Sequence, residues 1–346
     1  METGSQDLSD LGRAGGQLRV IAFSGVTGRV YVTAAANASS IMTYTVSLSV
    51  LVGRTNGAPH SAVELRPPAA QPVLSLTQRL DGDSDDRRRI NSTTSHAVNQ
   101  GSWTLWPLGA DAQAIAALNA SQIPVVSVQL TVPALALMAR NISLLIDAPD
   151  MDVVLDGDAS HVYHSLSVAT RETVRAYGGT VYSTSGSTMS PPLFVRRSLD
   201  VQILPPTEAN NSTSSSPYLS PLVELPKVAF VDAGASANIT VAAVGALDVG
   251  MVPPMDGRSS FDAYLSGPMV RLRLPTDANL RWTATMDDRR LVMPAAVNYT
   301  IPPPTGINGS LAEGFVGAVP EDSRSNGTRV VTVEGKGTFS LSWMKD

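Results

Sequence analysis

Residues 203–222 have the sequence Ile203-Leu-Pro-Pro-Thr-Glu-Ala-Asn-Asn-Ser-Thr-Ser-Ser-Ser-Pro-Tyr-Leu-Ser-Pro-Leu222 and separate two long blocks of strand-forming sequence. The segment is rich in Ser, Asn and Pro and poor in large apolar side chains, so it cannot bury enough surface to offset the entropy lost on ordering. On both sides lie runs in which apolar and polar residues alternate, the pattern of half-buried strands. We therefore predict a linker over 204–222 between two β-rich domains.

The composition predicts strands and turns throughout. The chain has 346 residues, of which 43% are hydrophobic and 16% charged, with 27 Gly and 24 Pro. This length suits two domains of about 100–200 residues, each with its own core. Short runs of β-branched residues are separated by Gly and Pro, a pattern that favours an all-β sandwich or barrel. No repeat of fixed period is evident, so we do not expect a solenoid or a propeller.

Charge and cysteine content exclude several classes of protein. The net charge is −5 and there is no cysteine, which excludes disulfides, zinc–thiolate sites and thiol nucleophiles. Residues 1–18 lack the apolar segment of a signal peptide and are predicted to be a flexible arm. The longest apolar run, 123–139, is interrupted by proline and polar residues, so we expect no membrane insertion.

The densest basic cluster is formed by Arg87, Arg88 and Arg89, directly after aspartates at positions 81, 83, 85 and 86. Clustered arginines are a common footprint of nucleic-acid binding. The preceding aspartates largely neutralise them, which favours a solvated charged loop. Both interpretations stay open: a loop, or a nucleic-acid contact through these three arginines.

An acidic cluster follows a predicted strand at Asp147, Asp150 and Asp152. Oxygen ligands at this spacing suit Ca²⁺, which accepts irregular geometry. No complete Asp-x-Asp-x-Asp-Gly loop is present, and an ordinary acidic turn is the alternative. A second polar segment, 156–164, contains His161 and His164 after two aspartates and matches no known metal-binding spacing.

One short segment deserves comparison with an enzyme motif. Asp232-Ala233-Gly234 follows an apolar strand and resembles the active-site turn of retroviral-type aspartic proteases, although Ala233 replaces the hydroxyl residue of that turn. A plain strand-to-turn transition has the same pattern. The sequence contains no phosphate-binding glycine loop and no Gly-x-Ser-x-Gly element. We therefore predict that the chain is not an enzyme.

Ten of the thirteen asparagines begin an Asn-x-Ser/Thr sequence. They are Asn37, Asn91, Asn119, Asn141, Asn210, Asn211, Asn238, Asn298, Asn308 and Asn326. Composition alone would give roughly two or three such acceptor sites. This excess suggests a glycosylated cell-surface or secreted protein; the alternative is that asparagine simply accompanies small polar residues in turns.

The layout from Trp103 to Pro206 resembles the shell domain of jelly-roll coat proteins from small non-enveloped icosahedral RNA viruses. A predicted helix (108–119) precedes a strand (125–132), an apolar strand ends in an acidic turn (141–150), and a last long strand (193–204) enters the linker. Tombusvirus-like coats add a protruding second sandwich, which 223–346 matches in size. The arm departs from that family, because it is not basic.

The resemblance implies an all-β chain with few short helices: a viral-type jelly-roll sandwich over 19–203 and a smaller protruding sandwich over 223–346. It implies a capsid protein that self-assembles into an icosahedral shell around a viral genome, first in the host cytoplasm and then in the virion. The expected partners are copies of itself, viral RNA and a host receptor, with Ca²⁺ at the acidic turn. The alternative function is a glycosylated cell-surface or secreted β-sandwich adhesion module.

Overall fold

The computed structural model describes residues 2–8, 16–22, 28–35, 41–52, 72–80, 103–107, 122–133, 142–157, 162–178, 192–205, 221–242, 245–255, 259–286, 290–292, 298–301, 311–317 and 329–344. These residues form twenty-three strands and no helix, which confirms the all-β class. The predicted helix at 108–119 lies outside them. No helix long and apolar enough to cross a membrane occurs in the described part of the chain.

The chain divides into two compact units, Met1–Leu155 and Asp156–Asp346. This boundary differs from the predicted linker at 204–222, of which 206–220 lie outside the described residues. The described strands on either side of that linker belong to the same unit. Its flexibility stays a prediction, but strands before and after it share one sheet, as the pairing below shows.

The first unit contains mixed parallel and antiparallel pairs. Its strands are β1 (Glu2–Asp7), β2 (Gly16–Ala22), β3 (Gly28–Ala35), β4 (Ile41–Val52), β5 (Pro72–Leu80), β6 (Trp103–Pro107), β7 (Gln122–Pro133), β8 (Ile142–Asp147) and β9 (Met151–Gly157). β2 pairs in parallel with β8, and β3 pairs in parallel with both β7 and β9. β1 pairs with β4 and Leu8 is fully buried, so the segment predicted to be a flexible arm contains a strand.

The second unit is built from parallel strands that alternate between two sheets. Its strands are β10 (Val162–Thr170), β11 (Val174–Gly178), β12 (Leu193–Ile203), β13 (Leu222–Phe230), β14 (Ala235–Val241), β15 (Ala246–Val252), β16 (Phe261–Ser266), β17 (Met269–Leu274), β18 (Leu280–Met286), β19 (Arg290–Val292), β20 (Asn298–Ile301), β21 (Leu311–Val316), β22 (Arg329–Gly335) and β23 (Thr338–Trp343). Sheet A has the order β10-β12-β14-β16-β22-β18, all parallel. Sheet B has the order β11-β13-β15-β17-β23-β19, also parallel.

From β10 to β17, each strand therefore pairs with the strand two further along, so that one coil of chain adds one strand to each sheet. β12 and β13 also pair with each other, from Leu193–Val195 to Val228–Phe230. This is a parallel β-solenoid with two strands per coil. Antiparallel β21 follows β18 at the end of sheet A, and β20 pairs with β21. A jelly roll is an antiparallel double sheet, so the strand order of the second unit corrects the sandwich arrangement predicted for 223–346 and for the end of 19–203. The parallel pairs of the first unit, β2–β8, β3–β7 and β3–β9, also depart from a jelly roll.

The coils have unequal lengths, which explains why no repeat is visible in the sequence. In sheet A, Ser198 lies opposite Ser236, Ser236 opposite Asp262, and Asp262 opposite Val330. Neighbours in the sheet are thus separated along the chain by very different numbers of residues. A solenoid was not expected for this reason, and that expectation is wrong for the described second unit.

The core lies between the inner faces of the two sheets. Alternate residues point inward, and in sheet A one inward row contains Leu199, Ala237, Ala263 and Val331, all buried. The rings of Trp282 in sheet A and Phe339 in sheet B have centroids 6.1 Å apart, which joins the two sheets across the core. Burying alternate side chains in this way removes apolar surface from water along every coil.

The last coil is inserted between two earlier ones. β22 lies between β16 and β18 in sheet A, and β23 lies between β17 and β19 in sheet B. The chain therefore passes the position of this coil, forms β18 to β21 beyond it, and returns to fill the gap. β22 and β23 each form parallel hydrogen-bonded pairs on both sides. The inserted coil therefore joins the strands before and after it into one continuous sheet on each side of the core.

Arg329 fixes the start of the inserted coil. Its guanidinium is largely buried and donates hydrogen bonds to three backbone carbonyl oxygens, from Nε to Ser259 (3.1 Å), from Nη1 to Ala278 (3.0 Å) and from Nη2 to Pro254 (2.5 Å). These carbonyls belong to the turns before β16 and before β18. A buried cation needs such partners to offset its desolvation, and here they connect the turns of three coils.

The turn after β22 requires glycine. A Cβ atom on Gly335 would clash with the carbonyl oxygen of Gly267, and one on Gly337 would clash with that of Pro268. The same turns are joined by backbone hydrogen bonds from Gly267 N to Glu334 O and from Thr338 N to Pro268 O, both 3.1 Å. The stacked turns approach so closely that only hydrogen fits in place of a side chain.

We expect Arg329→Met to lower the free energy of unfolding by about 2–4 kcal/mol, because three buried carbonyl oxygens lose a charged donor. Urea unfolding followed by far-UV circular dichroism measures the change. Arg197→Met, at an exposed position of sheet A, is the matched control and should stay within about 0.5 kcal/mol of the parent. Equal effects of the two substitutions would contradict the role given to Arg329.

Gly337→Ala should lower the free energy of unfolding by about 2 kcal/mol or more, because backbone atoms cannot move aside as a flexible side chain can. The control is Lys336→Ala in the same turn, where the side chain is exposed. A thermal unfolding midpoint for Gly337→Ala equal to that of Lys336→Ala would show that the turn tolerates a side chain.

Candidate interaction surfaces

Sheet A presents a polar outer face, which we call the acidic face: the outward side chains of Ser198–Ile203 in β12 and of β14, β16 and β22. One row across these strands is Asp200, Asn238, Tyr264 and Thr332, and the next is Gln202, Thr240, Ser266 and Glu334. The strand period of two places these residues outward, because the intervening ones fill the core. The face is therefore a direct consequence of the buried rows.

Hydrogen bonds hold the side chains of the acidic face in place. Asp200 accepts from Asn238 Nδ2 at 3.0 Å and from Gln202 Nε2 at 3.1 Å. Tyr264 donates its hydroxyl to Glu334 Oε2 at 2.8 Å, and this bond raises the pKa of Tyr264 above its usual value. Cross-strand pairs of this kind stabilise a sheet and fix rotamers. The result is an ordered polar surface.

Sheet B presents an outer face of the opposite charge, which we call the basic face: the outward side chains of β11, β13, β15, β17, β19 and β23. Arg175 pairs with Glu224 (3.4 Å between Nε and Oε2), and Arg273 pairs with Asp248 (2.6 Å between Nη2 and Oδ1). Lys227 and Arg271 are exposed in addition to these pairs. The described basic face thus has more cations than carboxylates.

Apolar side chains interrupt both faces. Met269 is 42% exposed and Val292 is 56% exposed on sheet B, and Tyr264 is 36% exposed on sheet A. Val292 lies in the same row as Arg271, with Ser340 between them. Single exposed apolar residues are common, but here they lie within charged surfaces that are otherwise polar.

The first unit has a polar outer face of its own. Thr33, Thr131 and Thr43 occupy one outward row, and the hydroxyl oxygens of Thr33 and Thr131 are 3.2 Å apart. On the same strand as Thr33, Arg29 donates from Nη1 to the Tyr31 hydroxyl at 2.8 Å.

Arg29 also pairs with Asp152, one of the three residues predicted to bind calcium. Arg29 Nη2 lies 3.2 Å from Asp152 Oδ2, and the two residues are opposite each other in the β3–β9 ladder. The hydrogen bond to Tyr31 and the Asp152 carboxylate raise the pKa of Arg29, although partial burial opposes this. Asp152 therefore has a cation as its neighbour.

The structure does not assemble the predicted calcium ligands into a group. Asp147 ends β8, Asp150 lies in the following turn and Asp152 lies in β9. Within the described residues, no three His, Cys, Asp or Glu side chains are placed to hold a metal ion. His164 lies in β10, whereas His161 lies outside the described residues.

The segment compared with a protease motif is a turn between β13 and β14. Asp232 pairs with Arg196 at 3.6 Å, and Gly234 has a φ of 76°, a left-handed conformation suited to glycine. Gly234 N donates to Ser260 O at 2.9 Å. The strand-to-turn interpretation accounts for all of these features.

Two predicted features cannot be placed. Arg87, Arg88 and Arg89 lie outside the described residues, so their contact with nucleic acid stays a prediction. Of the ten Asn-x-Ser/Thr sequences, only Asn238 and Asn298 fall within the described residues, and Asn238 is exposed on the acidic face.

Sequence reasoning missed both charged faces. Asp262 and Glu334 come from adjacent strands of sheet A, and Asp248 and Arg273 from adjacent strands of sheet B, yet each pair is distant in the chain. The alternation of apolar and polar residues along each strand indicated that these charged residues point away from a core. It contained no signal for which strands are neighbours.

Comparison with known proteins gives little further information. No protein family and no curated protein matches the chain. One similar solved structure is described as a "putative cell adhesion protein from Clostridium sporogenes ATCC 15579", with 8% identity and a TM-score of 0.25 over 99% of this chain and 98% of that one. At this TM-score the likeness carries no argument about function.

We expect Ca²⁺ to leave the thermal unfolding midpoint unchanged, because Asp152 is paired with Arg29 and the three aspartates are not grouped. Binding to the folded state would stabilise it by about 2.7 kcal/mol at a hundredfold excess over the dissociation constant. The measurement is differential scanning calorimetry with CaCl₂ and with EDTA. A midpoint that rises with CaCl₂, and fails to rise in Asp147→Asn, would restore the predicted site.

Proposed function

We propose that this protein is a non-enzymatic interaction module of a cell surface, an adhesion protein in the broad sense, which binds partners through the flat outer faces of its parallel strands. The observation that carries the proposal is the acidic face, where hydrogen bonds hold two groups of side chains: Asp200 with Asn238 and Gln202, and Tyr264 with Glu334. An adhesion role needs such a surface and no active site.

The rigidity of the sheet favours binding by this surface. Ordering flexible side chains on association costs roughly 0.5–1.5 kcal/mol for each rotamer-rich group. Asn238 and Tyr264 are already oriented by Asp200 and Glu334, so less of this cost remains to be met. Their remaining hydrogen-bonding capacity is available to a partner, because the face is partly to fully exposed.

The Asn-x-Ser/Thr sequences support a surface location. Ten acceptor sequences among thirteen asparagines exceed what composition predicts, and N-linked glycans occur on secreted and surface proteins. Cell-surface localisation belongs to this proposal and depends on whether those asparagines are modified.

The capsid hypothesis remains a second, untested possibility. It rested on a resemblance to an antiparallel jelly-roll shell, and the parallel order of sheets A and B removes the fold part of that resemblance. Shell assembly, a viral genome, a host receptor and location in the virion all depend on that hypothesis, and no described feature favours it over adhesion.

Size-exclusion chromatography with light scattering, followed by negative-stain electron microscopy near neutral pH, separates the two functions. For an adhesion module we expect particles without a closed shell, with and without Ca²⁺. Closed shells of uniform diameter would overturn the proposal and establish the capsid function.

A second experiment tests adhesion directly. Beads coated with the protein should attach to unpermeabilised cells of its source, and antibody should label the protein on the same cells. Asp200→Ala should reduce attachment severalfold, because the acceptor that orients both Asn238 and Gln202 is lost. Asp277→Ala, at an exposed turn, is the control. Labelling only after permeabilisation would contradict a surface function.

A further inference from the structure

The acidic and basic faces lie on opposite sides of the second unit. The inner faces of sheets A and B share one core, as the Trp282–Phe339 and Phe230–Phe261 ring contacts show, with centroids 6.1 and 4.9 Å apart. The outer faces must therefore point away from each other. Any charge imbalance between them gives the unit two unlike sides.

Within the strands that define it, the acidic face has three carboxylates and no cation; the next strand of sheet A, β18, adds outward Arg281, which is paired with Glu313 of β21. The three carboxylates are Asp200, Asp262 and Glu334, and the remaining outward residues of these described segments are neutral. The amides and the phenol that contact Asp200 and Glu334 donate hydrogen bonds but add no positive charge. Arg197 lies earlier in β12, and Arg196 beside it pairs with Asp232.

The described part of the basic face has an excess of positive charge. Its carboxylates, Glu224 and Asp248, are each paired with an arginine. Arg271 remains as an additional exposed cation in a row of sheet B, and Lys227 is exposed at the irregularity of β13 between Leu225 and Val228. Met269 and Val292 supply exposed apolar surface beside Arg271, and Tyr264 supplies it on the acidic face.

We propose that the acidic face of one copy docks on the basic face of a second copy. Complementary potentials steer such an encounter and fix its orientation, and burial of Met269, Val292 and Tyr264 adds an apolar contribution. The inference goes beyond the proposed function, because binding to a different partner does not require contact between copies.

The contact is heterologous, since two different surfaces meet. Each copy retains one free acidic face and one free basic face after pairing, so association continues instead of stopping at a closed dimer. We expect dimers, trimers and larger assemblies of side-by-side copies, and their average size should increase with protein concentration. Such a series would multiply the binding sites that an adhesion module presents.

The test uses charge reversal on each face, in the 346-residue chain produced in a host that does not attach N-linked glycans. Asp262→Arg makes the acidic face less acidic, and Arg271→Glu reverses a cation of the basic face. Each variant alone should associate about tenfold more weakly than the parent, because like charges then face each other. Sedimentation velocity over a range of concentrations measures the association constant.

Mixing the two variants gives the decisive result. The Asp262→Arg copy keeps its original basic face and the Arg271→Glu copy keeps its original acidic face, so an equimolar mixture should form mixed dimers through these unaltered faces with an association constant within about threefold of the parent. A mixture that stays as weak as either variant alone would overturn the proposed pairing of faces. Far-UV circular dichroism verifies that both variants fold, as expected for exposed positions.

Control substitutions and salt distinguish this contact from other causes. Asp277→Arg and Arg197→Glu make the same changes in net charge at exposed positions outside the two faces, and neither should weaken association by more than about twofold. Raising NaCl from about 50 to about 500 mM shortens the Debye length from about 14 to about 4 Å and should weaken association severalfold. A parent protein that remains monomeric at low salt and high concentration would overturn the inference, even if it still attaches to cells.

Discussion

The second unit depends on one constraint: the strands from β10 to β17 each pair in parallel with the strand two further along the chain, and the inserted coil pairs in parallel with the strands on both sides of it. This ladder satisfies the backbone donors and acceptors of each coil through the coils beside it, and an unpaired buried group would cost about 1–3 kcal/mol. Leu199, Ala237 and Ala263 enter the core in one row because their strands are in register. The same strand register also places the outward residues of both outer faces in rows.

The inserted coil completes this arrangement. β22 and β23 fill a gap between coils that precede them in the chain, and Arg329 connects their start to three carbonyl oxygens in neighbouring turns. The close approach at Gly335 and Gly337 brings the turns of adjacent coils into backbone contact. Formation of β16 to β19 as a continuous stack therefore requires the last coil, which is a long-range contact of high entropic cost.

Function in such a fold is a property of surfaces. The coils bring residues from distant segments into rows, and the rows on sheets A and B differ in charge although the chain as a whole has a net charge of only −5. Because one side of the unit is acidic and the opposite side is basic, copies that associate through these sides would all have the same orientation. These two unlike sides are the surfaces on which the proposed adhesion role depends.

The sequence by itself determined the all-β class and the position of many strands, because alternation such as that of Leu193–Ile203 follows directly from burying one face of a strand. It also placed Asp232 to Gly234 in a turn, one of the two interpretations open for that segment. Only the tertiary structure decided which strands are neighbours. Coils of unequal length leave no period to detect, so the pairing of Asp262 with Val330, the burial of Arg329 and the division of charge between two faces depend on contacts that local sequence does not encode.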